Sequence, residues 1–504
     1  MNCPHCGAVT LQKKGTTLLS DGRRLQRFKC TSCLKYFNES VFSNTSRFAP
    51  DKILKGDRFV ITSAQNNTPV NKEFLQALKI YCSANKAKLL IIPTLYMRNL
   101  YDDENLAWEI EDDNFLDVKA TLNDEVNILS DINIMATAEN PLGGLDSLSK
   151  GKSLIIPHNQ MQMRSLPVQR DSCAAILHTT GTITYPNYQQ TKAGEKAVFN
   201  HSFAALVVEF NERGHYFIRV LNCDDDNGFY DLDYYYSPTG RTKSKYVEAL
   251  IVGDEHVFVQ DPTVAHMTFT HKDSIVKRLK PKKIVRHDVI DSFTVSHHHR
   301  KDSFLQYSKF INRMNDFEKE IEQTLRFIMD TTPTNAESII ISSNHHDHVR
   351  RWLTEADPKI EPWNAKIFHL LSWLMLEEIE KHGGKIHVPD AFELYANYRY
   401  PGKMKFVGRN TNYKIHGIEL SNHGDVGANG SRGSLTQFSR FTEKVVIGHY
   451  HTPGINKGAY AVGTSTPKDL EYTSGPSSWM NTHCVIYPNG RRQLITITKG
   501  KWHN

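Results

Sequence analysis

Five short polar segments in the second half of the chain each close an apolar run of strand length, so their side chains can act as a set only if the fold brings five strand ends together. They are Asp254-Glu-His256, His287-Asp288, Asn344-His345, His423 and Gly448-His449-Tyr-His451. The runs at 249–253, 282–286, 338–342 and 444–447 read as buried strands alternating with helices. That pattern predicts an α/β sheet with carboxylates, an amide and imidazoles along one rim. Apolar residues at Phe304, Tyr307, Ile311, Met314, Phe317, Ile321, Leu325 and Ile328 recur every three or four positions and predict one long core-facing helix. Ile367, Leu370, Leu371, Leu374, Met375 and Ile379 predict a second, over about 363–382.

A chain of 504 residues exceeds what one hydrophobic core organises, since single domains stop growing near roughly 250–300 residues. Three regions are expected: 1–45, 46–245 and 246–504. The first has few apolar residues and needs a staple, which Cys3, Cys6, Cys30 and Cys33 provide as two C-x2-C knuckles. Four thiolates so spaced predict a closed tetrahedral structural zinc. The other four cysteines, Cys82, Cys173, Cys223 and Cys484, read as core thiols. The middle region opens as a βαβ unit, with strands at 58–62 and 88–93 and a helix at 71–84, followed by paired strands at 204–209 and 216–221. Its role is not legible from its residues.

The formal charge of +6 is mildly basic and favours a polyanionic partner. The opening MNCPHCG lacks the basic-then-apolar pattern of a signal peptide, and the longest apolar runs are far short of a bilayer span. A cytoplasmic protein with no membrane partner is expected.

The ribbon, with Lys13, Lys14, Arg23, Arg24 and Arg27 between its knuckles, resembles zinc ribbons of transposases and other DNA-handling proteins. It reads as a nucleic-acid contact or, alternatively, a protein-docking ribbon. The five later segments, in order, resemble the calcineurin-like metallophosphoesterase superfamily, which includes Mre11/SbcD-type nucleases, bacterial phosphodiesterases and serine/threonine phosphatases. The matching stretches are Gly253-Asp254-Glu-His256, His287-Asp288-Val-Ile-Asp291, Ser343-Asn344-His345-His346-Asp347, Asn422-His423-Gly424-Asp425 and Gly448-His449-Tyr-His451, within roughly 248–455.

This resemblance implies a β-sandwich flanked by helices and a pair of divalent cations bridged by Asp288. Asp254, His256 and His451 would complete the first cation, and Asn344, His423 and His449 the second. Cutting a phosphodiester takes a hydroxide at neutral pH and neutralised phosphoryl oxygens, and two cations about 3.5–4 Å apart supply both. Mixed imidazole, carboxylate and amide ligands suit manganese first, then iron, zinc or nickel. By the same resemblance His345 is the general acid, not a ligand. Three departures stand out: His346 occupies the usual acidic position with Asp347 one step later, His287 replaces a glycine, and Ser343 opens the third motif. The first leaves the orienting partner of His345 open.

A basic run, Lys277, Arg278, Lys280, Lys282, Lys283 and Arg286, reads either as lining the rim or as a solvated surface. Arg350 and Arg351, one turn beyond His345, and His298, in the triplet His297-His298-His299, are candidate substrate contacts. Together these features favour a DNA-cutting hydrolase. The order of regions also resembles the pre-early deoxyribonucleases of T5-like phages, which implies action on host DNA in a bacterial cytoplasm. Two other readings stay open: a phosphatase or small-nucleotide phosphodiesterase, and a DNA-binding host-takeover protein with a secondary esterase site. A homo-oligomer is an open expectation because two-fold dimers are frequent among the nuclease relatives.

Overall fold

The computed structural model describes residues 3, 6, 8–18, 24–38, 51–96, 110, 114–169, 174–384, 390–468, 470 and 475–504. Arg23 and Cys173, and the expected boundary near residue 45, lie outside the described residues. The chain is a mixed α/β protein that divides into two compact units. One comprises Met1–Arg164, Ala175–Thr242 and Asn504; the other comprises Ser165–Ala174 and Lys243–His503. No helix among the described residues is long and apolar enough to cross a membrane.

In the first unit, strands Leu11–Leu18, Arg24–Cys30 and Tyr36–Asn38 form an antiparallel sheet. The βαβ expectation holds: Arg58–Gln65 and Lys88–Thr94 run parallel, joined by helix Lys72–Asn85. Asn71 caps that helix by accepting the Phe74 amide, as an N-cap asparagine should. Ala204–Phe210 adds antiparallel to Arg58–Gln65 and pairs on its other side with Tyr216–Asn222. Phe74, Leu78, Tyr81, Val207 and Phe229 fill the core between helix and sheet. A buried Arg219 pairs with Glu209 at 2.5 Å and Asp231 at 2.8 Å, so its charge is taken out of water only with two partners.

In the second unit, one sheet runs in the order Lys405–Val407, Glu337–Ile341, Pro281–Arg286, Val247–Val252, Thr482–Ile486, Arg492–Thr496, with the first four strands parallel. A second set is ordered Lys414–Ile415, Ile418–Glu419, Lys444–Ile447, Ala459–Ala461, Gly454–Asn456. Each strand expected in this unit is present, its ends shifted by no more than two residues. Cys223 and Cys484 are buried, and burial pushes the Cys82 and Cys484 thiols up to about 12, as inert core thiols require.

The single long helix is a correction. The stripe is split between helices Ser303–Ile311 and Phe317–Asp330. Arg313 turns left-handed at φ 55°, and Asp316 starts the second helix by accepting the Lys319 amide. Phe317, Ile321, Leu325 and Ile328 are fully buried, whereas Phe304 is 88% exposed and Tyr307 66%. Periodicity identified the stripe, but only half of it faces a core.

Candidate metal centre

The parallel strands end on one side of their sheet, the side on which open α/β sheets place ligands. Val247–Val252 leads into Asp254 and His256, Pro281–Arg286 into His287 and Asp288, and Glu337–Ile341 into Ser343 and helix Asn344–Glu355. The first two loops continue to pair beyond the strands: the Glu255 amide donates to the His287 carbonyl at 3.0 Å and the His256 amide to the Asp288 carbonyl at 2.7 Å. From the second set of strands, Ile418–Glu419 delivers His423 and Lys444–Ile447 delivers His449 and His451.

These ends converge. Asp254, His256, Asp288 and His451, all buried, place ligand atoms within 4.8 Å of one another. His256 Nε2 lies 3.1 Å from His451 Nε2 and 3.7 Å from Asp288 Oδ2, and His451 Nε2 lies 3.2 Å from Asp254 Oδ2. Asp288 Oδ2 also lies 3.0 Å from His423 Nε2 and 4.0 Å from His345 Nε2. The His449 ring sits beside that of His423, centroids 5.2 Å apart, and its amide donates to Asp254 Oδ2 at 2.7 Å. The tight cluster therefore contains the residues expected for the first cation, while His423 adjoins Asp288 and His449 adjoins His423.

Several features fit divalent cations. Asp254 Oδ1, Asp288 Oδ1 and Asn344 Oδ1 are buried atoms with no hydrogen-bond partner among the described residues. Unpaired buried carboxylate oxygens are costly, and a cation would satisfy them. The donors are imidazole, carboxylate and amide, a set suited to transition metals. His256, Asp288, His449 and His451 adopt left-handed φ values of 39°, 43°, 75° and 55°. Such backbone costs on the order of 1–3 kcal/mol per residue and clusters at functional sites.

Electrostatics tie the group together. Burial disfavours charge on His256, yet Asp291 at 2.8 Å, with Asp288 and Asp254, raises its pKa to about 9. Burial opposes ionisation of Asp288, but His423 and His345 hold it well below the usual carboxylate range. Burial likewise lowers His451, against the pull of Asp254.

The orienting partner of His345 is Asp291. His345 Nδ1 donates to the Asp291 carbonyl at 2.6 Å, and the Asp291 carboxylate lies 3.6 Å from the same nitrogen. The signal was present as the second aspartate of His287-Asp288-Val-Ile-Asp291, to which the sequence reading gave no role. Asp347 turns away to Arg409, 2.7 Å from its carboxylate, and buried His346 pairs with Asp390 at 3.0 Å. His287 fits because Gly448 faces it: a Cβ on Gly448 would lie 2.3 Å from Asp254 Oδ1 and 3.0 Å from His287 Cγ.

The basic run takes the second of its two readings, with Lys277, Lys280 and Lys282 exposed, and only Arg286 departs from both. Arg286 is fully buried and bonds Glu255 Oε1, Ser338 and Thr331 at 2.8, 3.0 and 2.8 Å, so it holds loops in place and reaches no surface. Lys282 pairs with Glu248 at 3.1 Å. Lys282 and Lys283 lie in the entry half of the Pro281–Arg286 strand, away from the exit that leads to the cluster, with five and four residues between them and Asp288. Arg350 and Arg351 are exposed on the helix after His345, but Arg351 Nε binds Glu355 at 2.8 Å within that helix. His298 is exposed beside His297 and His348.

At the N-terminus Cys3, Cys6, Cys30 and Cys33 form a four-sulfur cluster, with Cys3–Cys33 and Cys6–Cys30 Sγ distances of 3.6 Å. A tetrahedral zinc with Zn–S bonds of about 2.3 Å has edges of about 3.8 Å, so the cluster fits that ion closely. The Cys33 amide, 3.5 Å from Cys30 Sγ, lowers the Cys30 thiol to about 6.

No family model and no solved structure matches the chain. Protein A1 of Escherichia phage T5 is similar, at 33% identity over 470 residues that cover 90% of this chain and 84% of its own length. Identity at that level along almost the whole of both sequences means that this chain belongs to the same family as Protein A1 of phage T5.

Proposed function

We propose that the protein is a metal-dependent DNA phosphodiesterase, with residues 246–504 a calcineurin-like metallophosphoesterase domain, 1–45 a zinc ribbon and 46–245 a middle region of unassigned role. The observation that carries this reading is the buried cluster of Asp254, His256, Asp288 and His451, with Asp288 shared toward His423. Asp254, His256, His451 and Asp288 would hold one cation; Asp288, Asn344, His423 and His449 would hold the other. Manganese is favoured, with iron, zinc or nickel as alternatives. The cation pair, when bound, supplies a nucleophilic hydroxide at neutral pH and neutralises charge on the phosphoryl oxygens.

The protein's own side chains handle the leaving group. Because a carbonyl only accepts, the Asp291 bond holds a proton on His345 Nδ1, so it is the imidazolium form, protonated at both nitrogens, that can give its Nε2 proton to the departing sugar oxygen and revert to the Nδ1–H tautomer. Asp291 thus serves two histidines, orienting His345 through its carbonyl and His256 through its carboxylate.

DNA is favoured over a small phosphate ester by the ribbon. Lys13, Lys14 and Arg27 are exposed, and Arg27 and Lys29 lie over the Tyr36 ring at 4.9 and 5.5 Å, an array of cations and an aromatic face suited to a nucleic acid. A relative from a bacterial virus fits a phage-encoded enzyme acting on host DNA in the bacterial cytoplasm.

The test is cleavage of supercoiled and linear DNA by the purified protein with manganese. Asp288→Ala and His449→Ala are expected to abolish cleavage with the fold retained. Turnover of nitrophenyl phosphates or cyclic nucleotides without effect on DNA would replace this reading by the small-substrate one. DNA binding with no hydrolysis of any substrate would replace it by the host-takeover one.

A further inference from the structure

The loop after Asp291 carries a second histidine cluster that the phosphodiesterase reading does not use. His297, His298 and His348 place one ring nitrogen each within 4.8 Å of the others. Their rings are close, with centroids 3.8 Å apart for His297–His298, 4.9 Å for His297–His348 and 5.9 Å for His298–His348. His297 Nδ1 and His348 Nδ1 are buried atoms with no hydrogen-bond partner among the described residues. Two unsatisfied buried imidazole nitrogens on converging rings are costly unless something binds there. His298 is exposed, so the point is reachable from solvent.

The cluster is held from both sides. Glu320, buried, accepts the Phe293 and Thr294 amides at 3.0 Å each, and buried Lys309 donates to the Phe293 carbonyl, fixing the loop that leads to His297. Arg300 donates to the Glu355 carbonyl at 3.2 Å, tying the far side of the loop to the helix that carries His348.

We infer that His297, His298 and His348 form a third metal site, separate from the paired-cation centre and selective for a late first-row divalent cation such as zinc or nickel. The donor set contains imidazoles and no carboxylate, which disfavours magnesium, calcium and manganese and suits zinc, nickel or copper. Three protein ligands leave a fourth position open on a tetrahedral ion. Bonds of about 2.0–2.1 Å place ligand nitrogens about 3.4 Å apart, so the three rings, whose nitrogens lie within 4.8 Å of one another, would draw in slightly around the ion. The His348 ring lies 4.9 Å from that of His345, so a metal held by His348 would lie near the candidate general acid, where its open position could take an oxygen of a phosphate beside the one being cut. The metal site stands without the phosphodiesterase reading; its use by substrate rests on that reading.

Zinc content of the full-length protein, measured by elemental analysis after equilibration with zinc and desalting, is the test. Wild type is compared with His298→Ala, with His298→Ala/His348→Ala, and with each of these in an Asp288→Asn background. The double variant is expected to hold one equivalent fewer than wild type, and the same one-equivalent loss is expected in the Asp288→Asn background. With cobalt, the visible absorption assigned to the third site should vanish in the double variant. Equal zinc content in wild type and both histidine variants would overturn the site. A loss that disappears in the Asp288→Asn background would also overturn it, because the histidines would then act through the paired centre. An Asp288→Asn protein with unchanged metal content would instead count against the paired-cation reading and leave the third site standing on its own difference. Because His298 is exposed, the single variant keeps the comparison valid even if the double variant folds poorly.

Discussion

At the scale of single residues, the site is a competition between protons and cations for the same imidazoles. His256 is held near pKa 9 by Asp291, Asp288 and Asp254, so in the metal-free protein its ring carries a proton through neutral pH. A cation must displace that proton, and metal binding therefore releases it. Apparent manganese affinity is expected to rise about tenfold per pH unit below roughly 9 and to level off above it, as read by isothermal titration at several pH values. Asp291→Asn removes the largest raising partner and should shift the plateau to lower pH. An affinity independent of pH between 6 and 8 would show that no proton is displaced from His256 on metal binding. Most of this centre was legible from residue types and order, since Asp254, His256, Asp288, His423 and His451 converge as expected. Asp291 was visible in its motif but its role was not, because its hold on His345 runs through a backbone carbonyl, which no sequence motif displays.

Among elements, the loops at the strand ends are supported by buried charges that a hydropathy pattern does not reveal. Arg286, fully buried, spans Glu255, Ser338 and Thr331 and so ties three neighbouring segments together beneath the cluster. Arg286→Ala leaves the Glu255 carboxylate buried and unpaired and should cost about 3–5 kcal/mol, measured by chemical denaturation. Glu320, on helix Phe317–Asp330, is raised to about 7 by burial and by Asp291. A carboxyl whose folded pKa lies above its unfolded value contributes stability that is complete below about 4.5 and lost as pH rises through about 7. At about 1.4 kcal/mol per pH unit the change is roughly 3 kcal/mol, and Glu320→Gln should flatten that part of the pH–stability curve. If the variant and wild type keep parallel curves from pH 4.5 to 7, Glu320 is not the titrating group. The strands themselves were legible because each is a short apolar run. The break between helices Ser303–Ile311 and Phe317–Asp330 was not, since it depends on a left-handed Arg313 and the Asp316 cap, which leave the apolar period unbroken.

For the molecule as a whole, sequence order and spatial arrangement diverge most where charge is concerned. The lysine run next to Asp288 in sequence is set apart from it along a strand, because a parallel strand has its basic entry and its functional exit at opposite ends. The two cysteine knuckles, by contrast, carry their own geometry in their spacing, and the four sulfurs meet as expected. What unites the account is a pair of cations sharing Asp288. The most direct measurement is anomalous scattering at the manganese edge from crystals of the manganese-soaked protein. Two peaks about 3.5–4 Å apart are expected, one among Asp254, His256 and His451 and one among Asn344, His423 and His449, with Asp288 between them. A single peak, or two peaks elsewhere with Asp288 in contact with neither, would contradict it.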